Sequence, residues 1–220
     1  MRRCGQNCLT DMIKAAVIGG GAAGFFAALS IRLHYPQAEV ELFEKSNKVL
    51  AKVKVSGGGR CNVTNATFSA SGLSKFYPRG GKSLKKAFDQ FQTEDTVKWF
   101  EARGVRLHSE SDGRMFPTTN DSQTIVDCLT RAAADAGITV RMQTPVKKLN
   151  PAQSGWLVNG EAFDCVVVAT GGSPTAKGFD WIRALGHLIA EPVPSLFTFN
   201  MPGNAITKLM GVVVPRAIAR

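Results

Sequence analysis

Short apolar runs and a segment of helical periodicity alternate along the first fifty residues. An apolar run at 15–18 leads into a glycine-rich segment, and apolar residues then recur at helical spacing over 25–33. A second short apolar run occupies 40–43. Short runs of this kind are typical of buried strands, and the longer periodic segment is typical of a helix that packs on them. The pattern predicts a strand, a tight turn, a helix and a second strand.

The turn carries three glycines in the spacing Gly19-x-Gly21-x-x-Gly24, and Glu44 ends the second strand about 20 residues later. In this spacing the first glycine permits the turn, the second lets the backbone approach a pyrophosphate, and the third lets the helix pack close to the strand. The N-terminus of the helix favours phosphate, and the acidic residue can accept hydrogen bonds from a ribose diol. We therefore predict a dinucleotide-binding unit.

A second glycine-rich segment occupies 56–65. Three successive glycines are followed there by Arg60, Cys61 and Asn62. A generic turn needs one or two glycines, so three indicate a loop whose backbone lies flat against a planar or phosphorylated ligand. Cys61 has no neighbouring cysteine, which argues against a dithiol redox role. We interpret it as a small buried side chain.

The pattern becomes helical between the second glycine-rich segment and 137. Residues 66–81 are rich in serine, glycine and proline and predict an irregular connection. Helical periodicity then recurs at 84–91, at 94–103 behind a Thr93 cap, and at 126–136. We interpret about 66–137 as a helical insertion that is not a further turn of the doubly wound sheet.

Strand patterns return after the insertion. They lie at 138–142, 146–149, 156–158 and 163–169, with turn residues between them. We interpret the first three as a small antiparallel meander and the fourth as a buried strand that ends in the turn 170–172. That turn can give a second backbone contact to the same cofactor. No second GxGxxG pattern indicates a separate nicotinamide domain.

The composition is that of a globular protein, with 220 residues, 44% hydrophobic and 20% charged. The five cysteines form no CxxC pair, which fits reduced thiols, so we predict a cytoplasmic protein. No apolar run approaches the length of a membrane span, so we predict no membrane partner. Residues 1–11 lack the apolar region of a secretory signal, and we expect them to form a disordered extension.

The net charge is +10, and ten basic residues with no acid lie between Lys45 and Lys86. Such a stretch can steer an anionic ligand or mark a nucleic-acid surface. We identify no nucleic-acid-binding motif beside it and expect no aromatic residues interleaved with it for base stacking. We therefore predict a solvated basic face, or one that steers the cofactor, and no nucleic-acid partner.

These segments together resemble one family of bacterial flavoproteins, the BaiN-type (YhiN-like) FAD-dependent oxidoreductases, also called the aminoacetone oxidase family. The resemblance runs from about Met12 to the end of the chain. It is carried by the glycine turn with Glu44, the block Ser-Gly-Gly-Gly-Arg-Cys-Asn-Val-Thr-Asn at 56–65, Gly-Arg-Met-Phe-Pro at 113–117, Ala-Thr-Gly-Gly at 169–172, and Gly-His at 186–187. The 56–65 block is its most specific part.

The resemblance implies an α/β fold, with a Rossmann-like FAD-binding domain of glutathione-reductase type over 12–190 that includes the meander and the helical insertion. An incomplete β-rich domain would begin over 191–220. The cofactor-binding residues implied are Gly19, Gly21, Ala22, Ala23, Gly24, Glu44, Lys45, Lys52, Ser56, Gly57, Gly58, Gly59, Arg60, Cys61, Asn62, Val146, Thr170 and Gly171. The first glycine turn would hold the pyrophosphate and Glu44 the ribose. The 56–62 loop would follow the flavin, Val146 would meet the adenine, and 170–171 would close over the cofactor.

Two departures from the family affect this expectation. Ala51 stands where many members carry a basic residue. Family members also continue well beyond Arg220 and return to the FAD domain, a return that this chain lacks. We therefore expect weak or absent FAD retention and little activity from this chain.

The preferred hypothesis is an FAD-dependent oxidoreductase that transfers hydride to or from a small organic substrate, with NAD(P)H as a candidate transient electron donor. His108 and His187 are acid–base candidates by residue type alone, and neither is assigned. No metal site is predicted, and the oligomeric state is left open. The alternatives are an NAD-dependent Rossmann dehydrogenase, a flavin-dependent RNA-modifying or nucleic-acid-binding protein, and an inactive FAD-binding fragment.

Overall fold

A computed structural model describes residues 12–173, 175–193 and 200–209. The chain divides into two compact units with the boundary between Gly172 and Ser173. This boundary lies earlier in the chain than the one expected at 190, because the first unit closes soon after the last strand of its main sheet. The expected extension at 1–11 and most of the expected β-rich domain at 191–220 lie outside the described residues.

Ten strands and seven α-helices are described. The strands are β1 (Lys14–Ile18), β2 (Glu39–Phe43), β3 (Thr64–Asn65), β4 (Leu107–Ser109), β5 (Arg114–Pro117), β6 (Thr139–Arg141), β7 (Leu149–Pro151), β8 (Trp156–Val158), β9 (Glu161–Phe163) and β10 (Cys165–Val168). The helices are α1 (Ala22–His34), α2 (Ala51–Gly59), α3 (Ala70–Ser74), α4 (Gly81–Phe88), α5 (Thr93–Glu101), α6 (Ser122–Asp135) and α7 (Asp180–Arg183). The strand, turn, helix and strand expected in the first fifty residues are confirmed.

The main sheet of the first unit is parallel, with the strand order β10-β1-β2-β6. Because side chains alternate across a strand, Val17 of β1 and Leu42 of β2 face the helices, where they pack with Phe25 and Leu129. All four side chains are essentially buried. The expected α/β Rossmann-like architecture is confirmed.

The helix α6 belongs to this architecture. It packs against α1 and α2 and leads into β6, which pairs in parallel with β2. The interpretation of the whole of 66–137 as an insertion outside the doubly wound sheet is therefore wrong for α6, which is a crossover helix. Helical periodicity shows that one face is apolar, but it does not show which elements that face will cover.

The opposite face of the main sheet is covered by a meander with the order β7-β8-β9. Phe43 and Ala16 of the main sheet pack there against Val158 and Phe163. The meander was expected, but its strands differ. The run at 138–142 joins the main sheet as β6, and the first meander strand is Leu149–Pro151, later than the expected 146–149.

Between α2 and α6 lie three helices and a small sheet with the order β3-β5-β4. The expectation of an irregular connection at 66–81 is wrong in part, because α3 forms there with the Ser69 side chain accepting a hydrogen bond from the Gly72 N–H at 3.1 Å. Thr93 is the first residue of α5 and not its cap. Its hydroxyl donates to the Asn65 carbonyl at 2.9 Å, so it ties α5 to β3.

The second unit contains the 3₁₀ helix Ala176–Phe179, the helix α7 and the 3₁₀ helix Ala205–Leu209. Arg183 forms an ion pair with Asp180 at 2.6 Å within α7. The short helix expected near 179–183 is confirmed. Across both units, none of the helices described here is long and apolar enough to cross a membrane.

A buried carboxylate joins the main sheet to the meander. Glu41 of β2 is 7% exposed and forms ion pairs with Lys14 at 2.9 Å and Arg141 at 2.8 Å, and Arg141 also pairs with Glu161 of β9 at 2.7 Å. Burial alone would raise the pKa of Glu41, but the hydrogen bonds and positive charges of Arg141 and Lys14 outweigh it and hold the pKa below its usual range. The ionised carboxylate therefore contributes to stability.

We predict that Glu41→Gln lowers the free energy of unfolding by about 2 kcal/mol near neutral pH, because two cations lose their shared carboxylate. A lowered folded-state pKa gives stability that is present above the ordinary value of 4.5 and is lost as the pH falls through the lower folded value. The difference between variant and wild type should therefore shrink in acid, as measured by urea unfolding across this range. Glu94→Gln, which removes only the exposed pair with Lys98, is the control and should change little. A Glu41→Gln deficit that is constant with pH would contradict the assignment.

Candidate functional site

The first glycine turn joins three strand ends. Gly19 has a φ of +117°, and a Cβ at this position would overlap the carbonyl oxygen of Ala169, which directly follows β10. Its N–H donates to the Phe43 carbonyl at the end of β2, at 2.8 Å. Glycine is required here both by the backbone conformation and by the close approach of β10.

The next two glycines have opposite surroundings. No heavy atom lies within 4 Å of a Cβ built on Gly21, the residue before α1, whereas a Cβ on Gly24 would overlap the Gly19 carbonyl oxygen. Gly24 thus allows the helix to pack on the strand, and Gly21 leaves its side of the turn open. The N-terminus of α1 has no side-chain cap, and Ala22 and Ala23 are exposed. Its first N–H groups therefore face an open space that suits an anion.

Glu44 is held at the edge of this space. One carboxylate oxygen accepts from the Gly20 N–H at 2.9 Å, and the other accepts from the Ser46 N–H and hydroxyl, each at 2.8 Å. Burial would raise the pKa of Glu44, but these hydrogen bonds, with Lys45 nearby, lower it below the usual range. The oxygen bonded to Gly20 keeps a free lone pair, so Glu44 can still accept a hydrogen bond from a ribose hydroxyl.

The second glycine-rich segment is a kinked extension of α2. Ser56 is extended with ψ of 153°, and Gly57, Gly58 and Gly59 have φ of 56°, 69° and 85°. A Cβ on Gly57 would lie 2.7 Å from the Phe116 ring, whereas none would meet an atom within 4 Å at Gly58 or Gly59. The loop therefore packs on one side and leaves its other side open, which fits the predicted backbone contact with a ligand.

The structure gives Arg60 partners within the protein that were not predicted. Its guanidinium lies 4.0 Å from the centre of the Phe116 ring and pairs with Glu110 at 2.6 Å. The hydrogen bond from Arg60 holds the pKa of Glu110 below its usual range. Arg60 thus anchors the glycine segment to the small sheet, and its contact with the cofactor stays a prediction.

A cavity of about 400 Å³ lies beside these segments. Five of the predicted cofactor-binding residues line it, namely Ala22, Lys52, Ser56, Cys61 and Asn62. The rest of its wall was not predicted and comprises Phe26, Val53, Val63, Phe91, Thr96, Phe100, Ile125 and Leu129. Phe26 could have been found, because it follows Ala22 by four residues on α1 and so shares its face. Val53 and Val63 directly follow the predicted residues Lys52 and Asn62 in the chain. The remaining five come from later segments, and no local signal connects them to the site.

Cys61 lies in this wall with a φ of +63°, a left-handed conformation that is uncommon for a residue with a side chain. Burial raises the pKa of its thiol. The thiol is therefore held protonated and suits the predicted structural role better than a redox role.

The remaining predicted residues lie around this centre. Lys45 is exposed beside Glu44, and Thr170 and Gly171 are exposed after β10. A Cβ on Gly171 would lie 3.7 Å from the Lys52 ammonium, so the turn at 170–171 does come close to α2. Val146 packs against the cluster that joins the meander to the main sheet. None of these contacts tests cofactor binding, so the assignments stay predictions.

Comparison with known proteins gives one family and several relatives. The family model described as the HI0933-like protein Rossmann domain matches residues 13–211. The chain is 25% identical over 218 residues to a 3-dehydro-bile acid delta(4,6)-reductase of Clostridium scindens, covering 94% of this chain and 52% of that protein. It is 31% identical over 221 residues to a ribosomal RNA dihydrouridine synthase of Escherichia coli, covering 94% and 54%. The chain thus spans about half the length of the curated relatives it matches.

Among solved structures, quinol fumarate reductase FrdA of Escherichia coli is similar with a TM-score of 0.53 and 15% identity. The match covers 74% of this chain and 33% of that chain. Similarity at this level of sequence identity shows a shared fold and no more. The shared fold agrees with the parallel sheet and crossover helices described above.

We predict that Gly24→Ala lowers the free energy of unfolding by about 3 kcal/mol, because the added Cβ overlaps the Gly19 carbonyl. Gly21→Ala makes the same chemical change three residues earlier and should cost less than about 1 kcal/mol, since its Cβ enters open space. Denaturant unfolding of the two variants checks the pair. Equal losses would show that the two glycines do not have separate roles.

Proposed function

Because the chain belongs to the HI0933-like family, we propose that it is the cofactor-binding part of an FAD-dependent oxidoreductase. The observation that carries the proposal is the open space at Gly21 and at the uncapped N-terminus of α1. The backbone at Gly21 has no side chain in the way, and the first N–H groups of α1 have no side-chain cap, so this turn suits a pyrophosphate. Glu44 at the end of β2 is placed to accept from the adjoining ribose.

The second glycine-rich segment favours FAD over NAD. Its backbone is open at Gly58 and Gly59, and Lys52 of the same helix is exposed and lines the cavity. A dinucleotide with a large ring system would use these groups, whereas an NAD-dependent dehydrogenase leaves them without a function. When bound, FAD supplies hydride transfer. The residues of this chain hold the cofactor in place and exclude water on the side of the apolar cavity wall.

The relatives' names suggest the kind of reaction. A delta(4,6)-reductase acts on a bile acid, and a dihydrouridine synthase acts on uridine in ribosomal RNA. Both reactions reduce a carbon–carbon double bond conjugated to a carbonyl, with a hydride added at one carbon and a proton at the other. We propose the same reaction class for the protein of which this chain is part, with NAD(P)H as electron donor and the cytoplasm as compartment. No residue of the chain is assigned as the proton donor.

We predict that Gly21→Val lowers the affinity for FAD at least about tenfold, because the branched side chain fills the space proposed for the pyrophosphate. Titration of the purified chain with FAD, followed by flavin fluorescence or calorimetry, measures this even if binding is weak. Ala134→Val adds bulk at an exposed position of α6 and is the control. Wild-type chain that binds NAD and not FAD would overturn the cofactor assignment.

The reaction class is tested anaerobically with chain loaded with chemically reduced FAD. We expect a conjugated steroid dienone or a uridine-containing RNA fragment to restore the oxidised flavin spectrum faster than the saturated analogue or dihydrouridine does. Free reduced FAD with the same compounds is the control for uncatalysed reaction. Equal rates with and without the protein would contradict catalysis by this chain, while the FAD titration would still stand on its own.

A further inference from the structure

The helix α4 carries three lysines on one face. Lys82, Lys85 and Lys86 are exposed, and spacings of three and four residues place them side by side along the helix. On another face, Leu84 and Phe88 are half-buried, and the Phe88 ring lies 5.5 Å from the Tyr77 ring. The helix therefore presents its charged face outward, and its apolar face is partly covered.

These three lysines have no acidic partners in the part of the chain that the structure describes. Among the described residues, Lys82, Lys85 and Lys86 form no ion pair or side-chain hydrogen bond, and α4 contains no acidic residue. Lys85 and Lys86 in the last turn complement the helix dipole, whereas Lys82 in the first turn opposes it, and like charges at these spacings repel one another. Three neighbouring ammonium groups without carboxylates form a positive surface that suits an anion from outside.

Further basic and aromatic side chains adjoin α4. We use the name basic hairpin for residues 68–88, which include α3, the turn and α4. Lys75 and Arg79 lie in the turn, Phe68 is 53% exposed and Phe76 is 65% exposed. No aromatic residues were expected among the basic ones. Phe68 and Phe76 lie within the basic stretch and are exposed, so that expectation is wrong and no longer argues against a nucleic acid.

The other basic and aromatic region of the first unit differs. A groove of about 1240 Å³ between α1, α5 and α6 also contains arginines. There Arg103 stacks on Trp99 at 3.8 Å, and Arg32 donates to the carbonyls of Ala38 at 2.8 Å and Ala136 at 2.7 Å. Those two arginines make contacts that stabilise the fold. In the part of the chain that the structure describes, the lysines of α4 make no such contact.

An amphipathic basic helix can also lie on an anionic membrane, but that mode needs a free apolar face. Of the apolar residues of α4, Leu84 and Phe88 are half-buried, and Phe88 packs against Tyr77, so little of this face is free to enter a bilayer. A row of lysines at helical spacing together with exposed aromatic rings matches a chain of phosphates whose bases can stack. Single-stranded RNA has both features.

We propose that the basic hairpin binds single-stranded RNA, with Lys82, Lys85 and Lys86 on the phosphates and Phe68 and Phe76 stacking on bases. This deepens the proposed function and rests on its RNA alternative for the substrate, and because the binding test below uses the chain without FAD, the two proposals can fail separately. It also replaces the expectation of no nucleic-acid partner. The hairpin ends three residues before Phe91, which lines the cavity beside the predicted cofactor residues. RNA bound to the hairpin would therefore lie close to that cavity.

The test is fluorescence anisotropy of a labelled oligouridine of about 12 nucleotides, titrated with the whole chain without FAD at several salt concentrations. The Lys82→Glu/Lys86→Glu double variant should bind at least about tenfold more weakly and lose about 1.4 from the slope of log affinity against log salt. Lys147→Glu/Lys148→Glu makes the same charge change at exposed lysines before β7 and should stay within about twofold of wild type. Equal losses in both double variants would overturn the proposal, because they would indicate a general effect of net charge.

The aromatic contribution is tested with Phe76→Leu, which keeps an apolar side chain but cannot stack. It should weaken binding about fivefold or more.

If the double variant does not fold, Lys85→Gln should still reduce the salt slope by about 0.7. Wild-type chain that binds vesicles of phosphatidylcholine and phosphatidylserine, mixed at about 3:1, but does not bind oligouridine would overturn the proposal in favour of a membrane surface. Failure to bind either would overturn it as well.

Discussion

The close approach of α1 to β1 is the constraint on which the candidate site depends. A Cβ on Gly24 would occupy the position of the Gly19 carbonyl oxygen, so the helix can lie this near to the strand only with glycine there. This contact places the N-terminus of α1 at the carboxyl ends of the parallel strands, where open α/β sheets bind their ligands. The hydrogen bond from the Gly20 N–H to Glu44 fixes the end of β2 to the same turn.

Several carboxylates of the first unit pair with cations of the same unit, and the cations left over shape its outer surface. Glu41 pairs with Lys14 and Arg141 between the sheet and the meander, and Glu110 pairs with Arg60 beside the glycine segment. The three α4 lysines, by contrast, have no carboxylate partner among the described residues. Positive charge is therefore left exposed on the basic hairpin, where an anionic ligand is proposed.

The predictions that agree best with the structure are those that depend on residues close together in the sequence. The separate roles of Gly19, Gly21 and Gly24 follow from a contiguous strand, turn and helix, and the geometry at each position has the predicted form. The pairing of Arg60 with Glu110 was not predicted, because Glu110 lies 50 residues away, between β4 and β5. The prediction of the cavity wall was incomplete for the same reason, because α5 and α6 bring Phe100 and Leu129 to it from distant parts of the chain.

The sequence by itself determined the dinucleotide-type turn, the acidic end of β2, the glycine-rich second segment and the α/β class, because each depends on backbone conformation and periodicity within a few residues. Only the tertiary structure decided that α6 is a crossover helix, that the run at 138–142 joins the main sheet, and that the α4 lysines have no acidic partner among the described residues. An amphipathic pattern or a charged side chain defines what a segment needs to bury or pair. Which neighbour meets that need depends on chain topology, and topology brings together residues that no local pattern connects.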